Sequence, residues 1–198
     1  MRDTKNKILD AARVLFCEKG YAATSVQDIL DRTGTGKGQF YHYFASKQDL
    51  CLAVIDGHVA EWEEECFQAM LESDAPPDIA LSDMLDWIYD YHAQQIRYYG
   101  CPVGNLIMEL STADEAFRQP LAAMYSRWSR LLAERIGQLT NMPADKAQSQ
   151  ALQLIASIQG SLLLLKLNQD IDALETSFDF LKNTILKWEK ENENEIYS

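Results

Sequence analysis

The chain has little that would break a helix and almost nothing that would build a strand. Its 198 residues include only 5 prolines and 9 glycines, and no alternating polar–apolar stretch long enough for a half-buried strand. An all-α fold is therefore expected. The four cysteines, Cys17, Cys51, Cys66 and Cys101, form no C-x-x-C pair, and no histidine stands at zinc spacing. That argues against a structural metal. The three histidines, His42, His58 and His92, lie far apart, and no G-x-S-x-G, H-E-x-x-H or nucleotide loop is present. Nothing in the sequence points to catalysis or to a cofactor. A run of about 18 apolar residues is missing, so no membrane-spanning helix and no membrane partner are expected. The opening MRDTKNK lacks the apolar core of a secretory signal. These features favour a cytoplasmic chain, in which structural disulfides are not expected.

What is present is an ordinary core composition, 47% hydrophobic, under a net charge of −12. The charge is uneven. Residues 1–47 hold eight Lys and Arg against five Asp and Glu, and all of the acidic excess lies after them. A modestly basic head on an acidic body can approach phosphates while the body is repelled.

Residues 24–47 read TSVQDILDRTGTGKGQFYHYFASK. Thr24 with Gln27, and Ser25 with Asp28, each fit a capping box, and Val26, Ile29 and Leu30 give one apolar face. Gly34 fits a left-handed helix end. Gly36 can cap a second short helix over 37–43, and Ser46 with Asp49 marks the start of a third. Two capped short helices around a glycine turn are helix-turn-helix grammar, whose use is to lay one helix in a DNA major groove. In the second helix Phe40 and Phe44 are spaced to anchor it. Lys37, Gln39, Tyr41, His42 and Tyr43 carry groups that bond phosphates and base edges, and Gly38 lets the backbone come close. Thr24 and Ser25 stand at a helix start where free N–H groups favour a phosphate, and Lys47 is placed to hold another. Taken alone, such a helix also fits a solvated surface; the complete motif favours DNA. The TGTGKG stretch imitates a phosphate-binding loop, but Asp31 replaces its first glycine, Gly38 replaces the Ser or Thr, and no strand precedes it.

Farther on, one helix is expected from Ser46 to about Leu71, then a break at DAPPD, and helices near 79–99, 103–111, 115–139, 144–169 and 173–190. The residues EKENENEIYS after them read as a solvated tail. Leu174, Phe178, Leu181 and Ile185 space a seam for another helix, and Ile158, Leu162 and Leu165 lie in the most apolar segment. Pairing these helices across a two-fold axis would make a homodimer, although packing within one subunit fits the same pattern. Trp62, Met84, Trp87, Tyr91, Met108, Tyr125 and Trp128 are large soft side chains of the middle region. They suit either a plain core or a greasy ligand pocket, with Glu109 available to favour a cation. Cys101, in YYGCPVGN at a helix start, is either a reactive thiol or a buried inert one.

The segments KILDAARVLFCEKGYAATSVQDIL, KGQFYHYF and FASKQDL, in that order, resemble the N-terminal domain of the TetR/AcrR family of transcriptional repressors. The resemblance covers about the first 55 residues and implies a DNA-binding domain over 1–47, its linking helix from about 46, and a helical effector-binding and dimerisation domain over 48–198. It implies double-stranded palindromic DNA, a second copy of the chain and a small hydrophobic inducer as partners. It puts Lys37, Gln39, Tyr41, His42 and Tyr43 at recognition positions and Ser25 and Lys47 at phosphate positions. Gly36 replaces the usual Ser or Thr, and Gln39 a small residue. Gln39 can bond adenine bidentately or merely touch phosphate or water. The G-C-P segment is similar to that of members sensing electrophiles through cysteine, which makes a Cys101 sensor the alternative. A helical adaptor that binds no DNA is a further class.

Overall fold

Local capping sets the helix boundaries at the N-terminal end. The computed structural model describes residues 4–196, all of whose regular elements are helical. After α1 (Thr4–Lys19), Ser25 caps α2 (Val26–Thr33). The Ser25 N–H donates to Asp28 Oδ2 at 2.8 Å, and the Asp28 N–H donates to Ser25 Oγ at 3.1 Å. Gly34 ends α2 at φ +66°, a conformation glycine adopts without a Cβ penalty. Next come α3 (Lys37–Tyr43) and α4 (Lys47–Glu61), the latter opened by the Asp49 N–H donating to Ser46 Oγ at 3.0 Å.

The expected single helix to Leu71 changes character at Trp62. Residues Trp62–Leu71 form a π-helix, a wider winding with i→i+5 bonds. Arg127 binds Glu63 at 2.6 and 2.8 Å and Glu72 at 3.1 Å. In an α-helix nine residues span about two and a half turns and would put these carboxylates on opposite sides. The wider winding brings them to one guanidinium. No hydrophobic pattern announces this, because the bracing residue lies 55 or more positions away.

The remaining helices are α5 (Pro77–Ala93), α6 (Pro102–Leu110), α7 (Glu115–Thr140), α8 (Ala144–Asn168) and α9 (Ile171–Ile196). Pro77 sits in the first turn of α5, where its missing N–H costs nothing. That helix stops at Ala93 rather than near Tyr99, so Tyr99 does not share its apolar side with Leu81, Met84, Leu85 and Ile88. The helix α9 continues past Lys190; the expectation of a solvated tail concerns side chains outside those described.

Two compact units result. One holds α1 to α3, nearly all of α4, α6 and the start of α7; thus it extends beyond residue 47. Its core joins Ile8, Ala12, Leu15 and Phe16 of α1 to Ile29, Phe40, Leu50 and Ile55. The other holds the π-helix, α5, most of α7, α8 and α9. There α9 packs on α5 and on α8. By length and composition alone α8 is apolar enough to cross a membrane, a test that a protein's core helices also pass. Its Leu154, Ile158, Leu162 and Leu165 are nevertheless buried in protein.

Candidate nucleic-acid interface and effector region

Helix α3 divides cleanly into an anchored and an open side. Phe40 is fully buried and Phe44 nearly so, with ring centroids 6.0 Å apart. Burying two such rings contributes roughly 1.5–3 kcal/mol each and fixes which side faces out. Lys37, Gly38, Gln39, Tyr41 and His42 are exposed, and Tyr43 is half-buried, its ring edge-on to that of His42 with centroids 4.8 Å apart. A Cβ added at Gly36 or Gly38 would meet nothing within 4 Å, so neither glycine is required by its own chain's packing. The Gly36 N–H donates to Gln39 Oε1 at 3.2 Å.

The other three expected contact residues are placed differently. Thr24 is fully buried, its hydroxyl donating to the Gly20 carbonyl at 2.7 Å. It cannot reach a phosphate and instead closes the α1–α2 turn. Lys47 donates from Nζ to the carbonyls of Tyr21 and Thr24, both at 2.9 Å, and lies 4.2 Å from the Tyr21 ring centroid. It points into the unit rather than toward a duplex. Ser25 is exposed, yet its hydroxyl donates to the Asp28 carboxylate. The Lys19 ammonium bonded to Asp28, with Ser25 beside it, holds that carboxyl far below the usual range. A fixed negative charge therefore occupies the start of α2, which weakens the case for a phosphate there.

Glu109 was expected near a ligand but serves this turn. Its carboxylate accepts the Tyr21 N–H at 2.8 Å and the Ala22 N–H at 2.6 Å. Gly20 adopts φ +85°, and a Cβ there would come within 3.0 Å of Glu109 Oε2. The turn thus has its N–H groups held from α6 and its carbonyls held from α4. No spacing rule links Glu109 to Tyr21, 88 residues away.

Two family models match successive parts of the chain. The family described as bacterial regulatory proteins, tetR family, matches residues 8–54, and the C-terminal domain of LmrA/YxaF-like transcriptional regulators matches residues 77–179. An uncharacterised HTH-type transcriptional regulator in the lacX 3′ region of Lactococcus lactis subsp. lactis is 51% identical over 187 residues, 94% of this chain and 95% of that protein. The chain belongs to the TetR family of bacterial transcriptional regulators. Family members are regulators and not enzymes. This TetR-family chain is also 26% identical to the HTH-type transcriptional repressor DhaR of Mycobacterium sp. strain GP1, over 86% of each. A crystal structure of a TetR transcriptional regulator from Chloroflexus aurantiacus J-10-FL aligns with TM-score 0.79 at 27% identity, covering 92% of this chain and 94% of that one.

In the regulator's second unit, six of the eight candidate ligand residues converge. Trp62 meets Trp87 at 5.0 Å and Trp128 at 4.8 Å, and Trp128 meets Tyr125 at 5.5 Å. The Trp128 indole N–H donates to Met84 Sδ at 3.3 Å, and that of Trp87 to Glu65 at 3.2 Å. Burial, then the hydrogen-bonded Cys101 thiol, pushes the Tyr125 hydroxyl well above the usual tyrosine range. Cys101 thereby joins the cluster. Tyr91 is 41% exposed and Met108 87% exposed, and neither belongs to it. A cavity of about 510 Å³ alongside is lined by Tyr125, Ser129, Gln148, Leu152 and Ile155, among others. His92, missed in the sequence, is 2% exposed, and its Nδ1 has no hydrogen-bond partner. Burial lowers its pKa to about 4. Burial also pushes the Cys51 thiol up to about 12, with Glu109 adding to the effect, and raises that of Cys66. Such thiols are inert at neutral pH.

The residues expected to pair two copies are instead used inside one. Ile158, Leu162 and Leu165 of α8 and Leu174, Phe178, Leu181 and Ile185 of α9 are all buried within the single chain. A seam spacing identifies a packed side without saying whose helix covers it. The same two helices leave Leu163, Leu164, Leu167, Phe180 and Leu186 exposed, from 44% to 74%.

Proposed function

We propose that this TetR-family regulator is a repressor that binds a palindromic operator as a homodimer and is released by a small hydrophobic ligand. The observation that carries the DNA reading is the open side of α3, where Lys37, Gln39, Tyr41 and His42 stand exposed over buried Phe40 and Phe44. A short helix reads few base pairs, so two heads on two half-sites are needed. The exposed leucines of α8 and Phe180 of α9 give the second copy an apolar face to cover. Likeness to the repressor DhaR supports repression. Such a regulator works in the cytoplasm beside the chromosome.

The ligand site is the Trp62, Trp87, Trp128 and Tyr125 cluster with the adjoining cavity, which suit an apolar, ring-bearing or cationic molecule. Wedging a ligand among these rings would favour another arrangement of Trp62, the first residue of the braced π-helix, and through α4 would lower operator affinity. The ligand must bind the released state more tightly for this to happen. A second reading has its own observation: the Cys101 thiol is near enough to the Tyr125 hydroxyl to act on it, so its modification would disturb the same rings. Selection of duplexes from a random library, with salt-dependent binding of the winner, tests the DNA reading. Failure to select any duplex at low ionic strength would remove it. Release by an electrophile that persists in Cys101→Ser would remove the thiol reading.

A further inference from the structure

Gly36 and Gln39 are joined by one hydrogen bond in the structure, and together they bear on base choice. Gly36 caps α3 at φ −80° and ψ 154° but has no side chain to supply a cap. Gln39, three residues on, reaches back to the Gly36 N–H at 3.2 Å. A backbone N–H only donates, so the amide oxygen must face it and the NH2 group must face away. Gln39 is exposed, and its Nε2 donates to no described residue.

We infer that Gln39 is a specificity-determining residue held with its NH2 group outward, and that it selects guanine rather than adenine at its operator position. This rests on the DNA-binding reading above. Bidentate recognition of adenine needs a glutamine carbonyl to accept from N6 while its NH2 donates to N7. Here the Gly36 N–H takes one lone pair of that oxygen and holds it on the cap side of α3, so the NH2 group is the end presented outward. Guanine offers two acceptors, N7 and O6, and asks for no acceptor in return.

The test is library selection with the full-length protein and three variants, reading base preference at each half-site position. The wild type should prefer guanine over adenine about tenfold at one position per half-site. Gln39→Ala should flatten that position alone. Gln39→Glu keeps an acceptor for the Gly36 N–H but removes the donor, and should turn the preference toward cytosine, whose N4 group donates. Gly36→Pro removes the N–H at a φ suited to proline, frees the carbonyl and should move the preference toward adenine. A folding defect in that variant leaves the Ala and Glu variants as the decisive pair. A helix-positioning role alone would weaken all positions evenly. Even weakening, an unchanged profile in Gln39→Ala, or a wild-type adenine preference at the responsive position would each overturn the inference. A wild type that selects no duplex would instead strike the DNA-binding reading itself.

Discussion

Two of the surfaces left exposed among the described residues of this regulator differ in chemistry. The open side of α3 carries Lys37, Gln39, Tyr41 and His42, all able to hydrogen-bond. The open side of α8 and α9 carries Leu163, Leu164, Leu167, Phe180 and Leu186, with no hydrogen-bonding atoms in their side chains. Exposed polar groups already have water, so a partner must give them better-placed acceptors and donors, as a duplex does. Exposed leucines gain from any dry cover, and a copy of the same face supplies one by two-fold symmetry. The contrast teaches that exposure alone names no partner, whereas exposure with its chemistry does.

Charging the apolar face should have the largest effect. Leu163→Glu with Leu167→Glu adds two carboxylates where the proposed dimer is dry. The double variant should sediment as a monomer with unchanged helical content. Operator affinity should fall about 100-fold or more, since one head contacts only one half-site. A variant that stays dimeric would move the interface elsewhere and leave the leucines unexplained.

How much of this was readable in advance depended on how local the cause was. The α2 and α3 boundaries follow from Ser25, Asp28, Gly34 and Phe40, all within a few residues of what they control, and the sequence reading matches the structure there. The apolar period in α9 was equally legible, but period cannot say which neighbour covers a side, so Leu174 and Phe178 went to the wrong partner. Thr24 and Lys47 look like phosphate ligands by type, and only tertiary contacts show them turned inward. Glu109 and Arg127 act on segments more than 50 residues away in sequence, and His92 is a polar residue on a buried side; nothing nearby announces any of them.

Unlike either surface, the interior holds a titratable group without a partner for one of its polar atoms, His92. Its pKa falls from 6.5 to about 4 on folding because burial penalises the imidazolium. Between those values the unfolded chain takes up a proton that the folded chain refuses. Stability is therefore fully present above pH 6.5 and is lost as pH falls toward 4, by about 3 kcal/mol from this group. Urea unfolding at pH 7 and pH 4.5 should show most of that loss in the wild type and little of it in His92→Phe. Equal acid sensitivity in the two proteins would move the cause to other groups.

On the polar surface, Lys37→Ala should cost roughly 1–2 kcal/mol of operator affinity and reduce the slope of log affinity against log salt by about 1, with thermal stability unchanged. A matching loss of melting temperature would mean that Lys37 supports the fold and that the α3 side is less open than its exposure indicates.

The smallest effect on DNA is expected at Lys47, and it is the most discriminating. Its ammonium holds two carbonyls of the α1–α2 turn at 2.9 Å and covers the Tyr21 ring. Lys47→Met keeps the aliphatic stem but loses those bonds, at about 1 kcal/mol of stability. The turn is still held by Glu109, so α3 should keep its place and operator affinity should drop only a few-fold. Because no phosphate contact is removed, the salt slope should equal that of the wild type. Lys37 and Lys47 carry the same charge and lie ten residues apart, yet only one should change the slope. If Lys47→Met lowers the slope by about 1 and leaves the melting temperature alone, the ammonium leaves the turn for a phosphate when DNA arrives, and the division between reading and holding residues fails at that point.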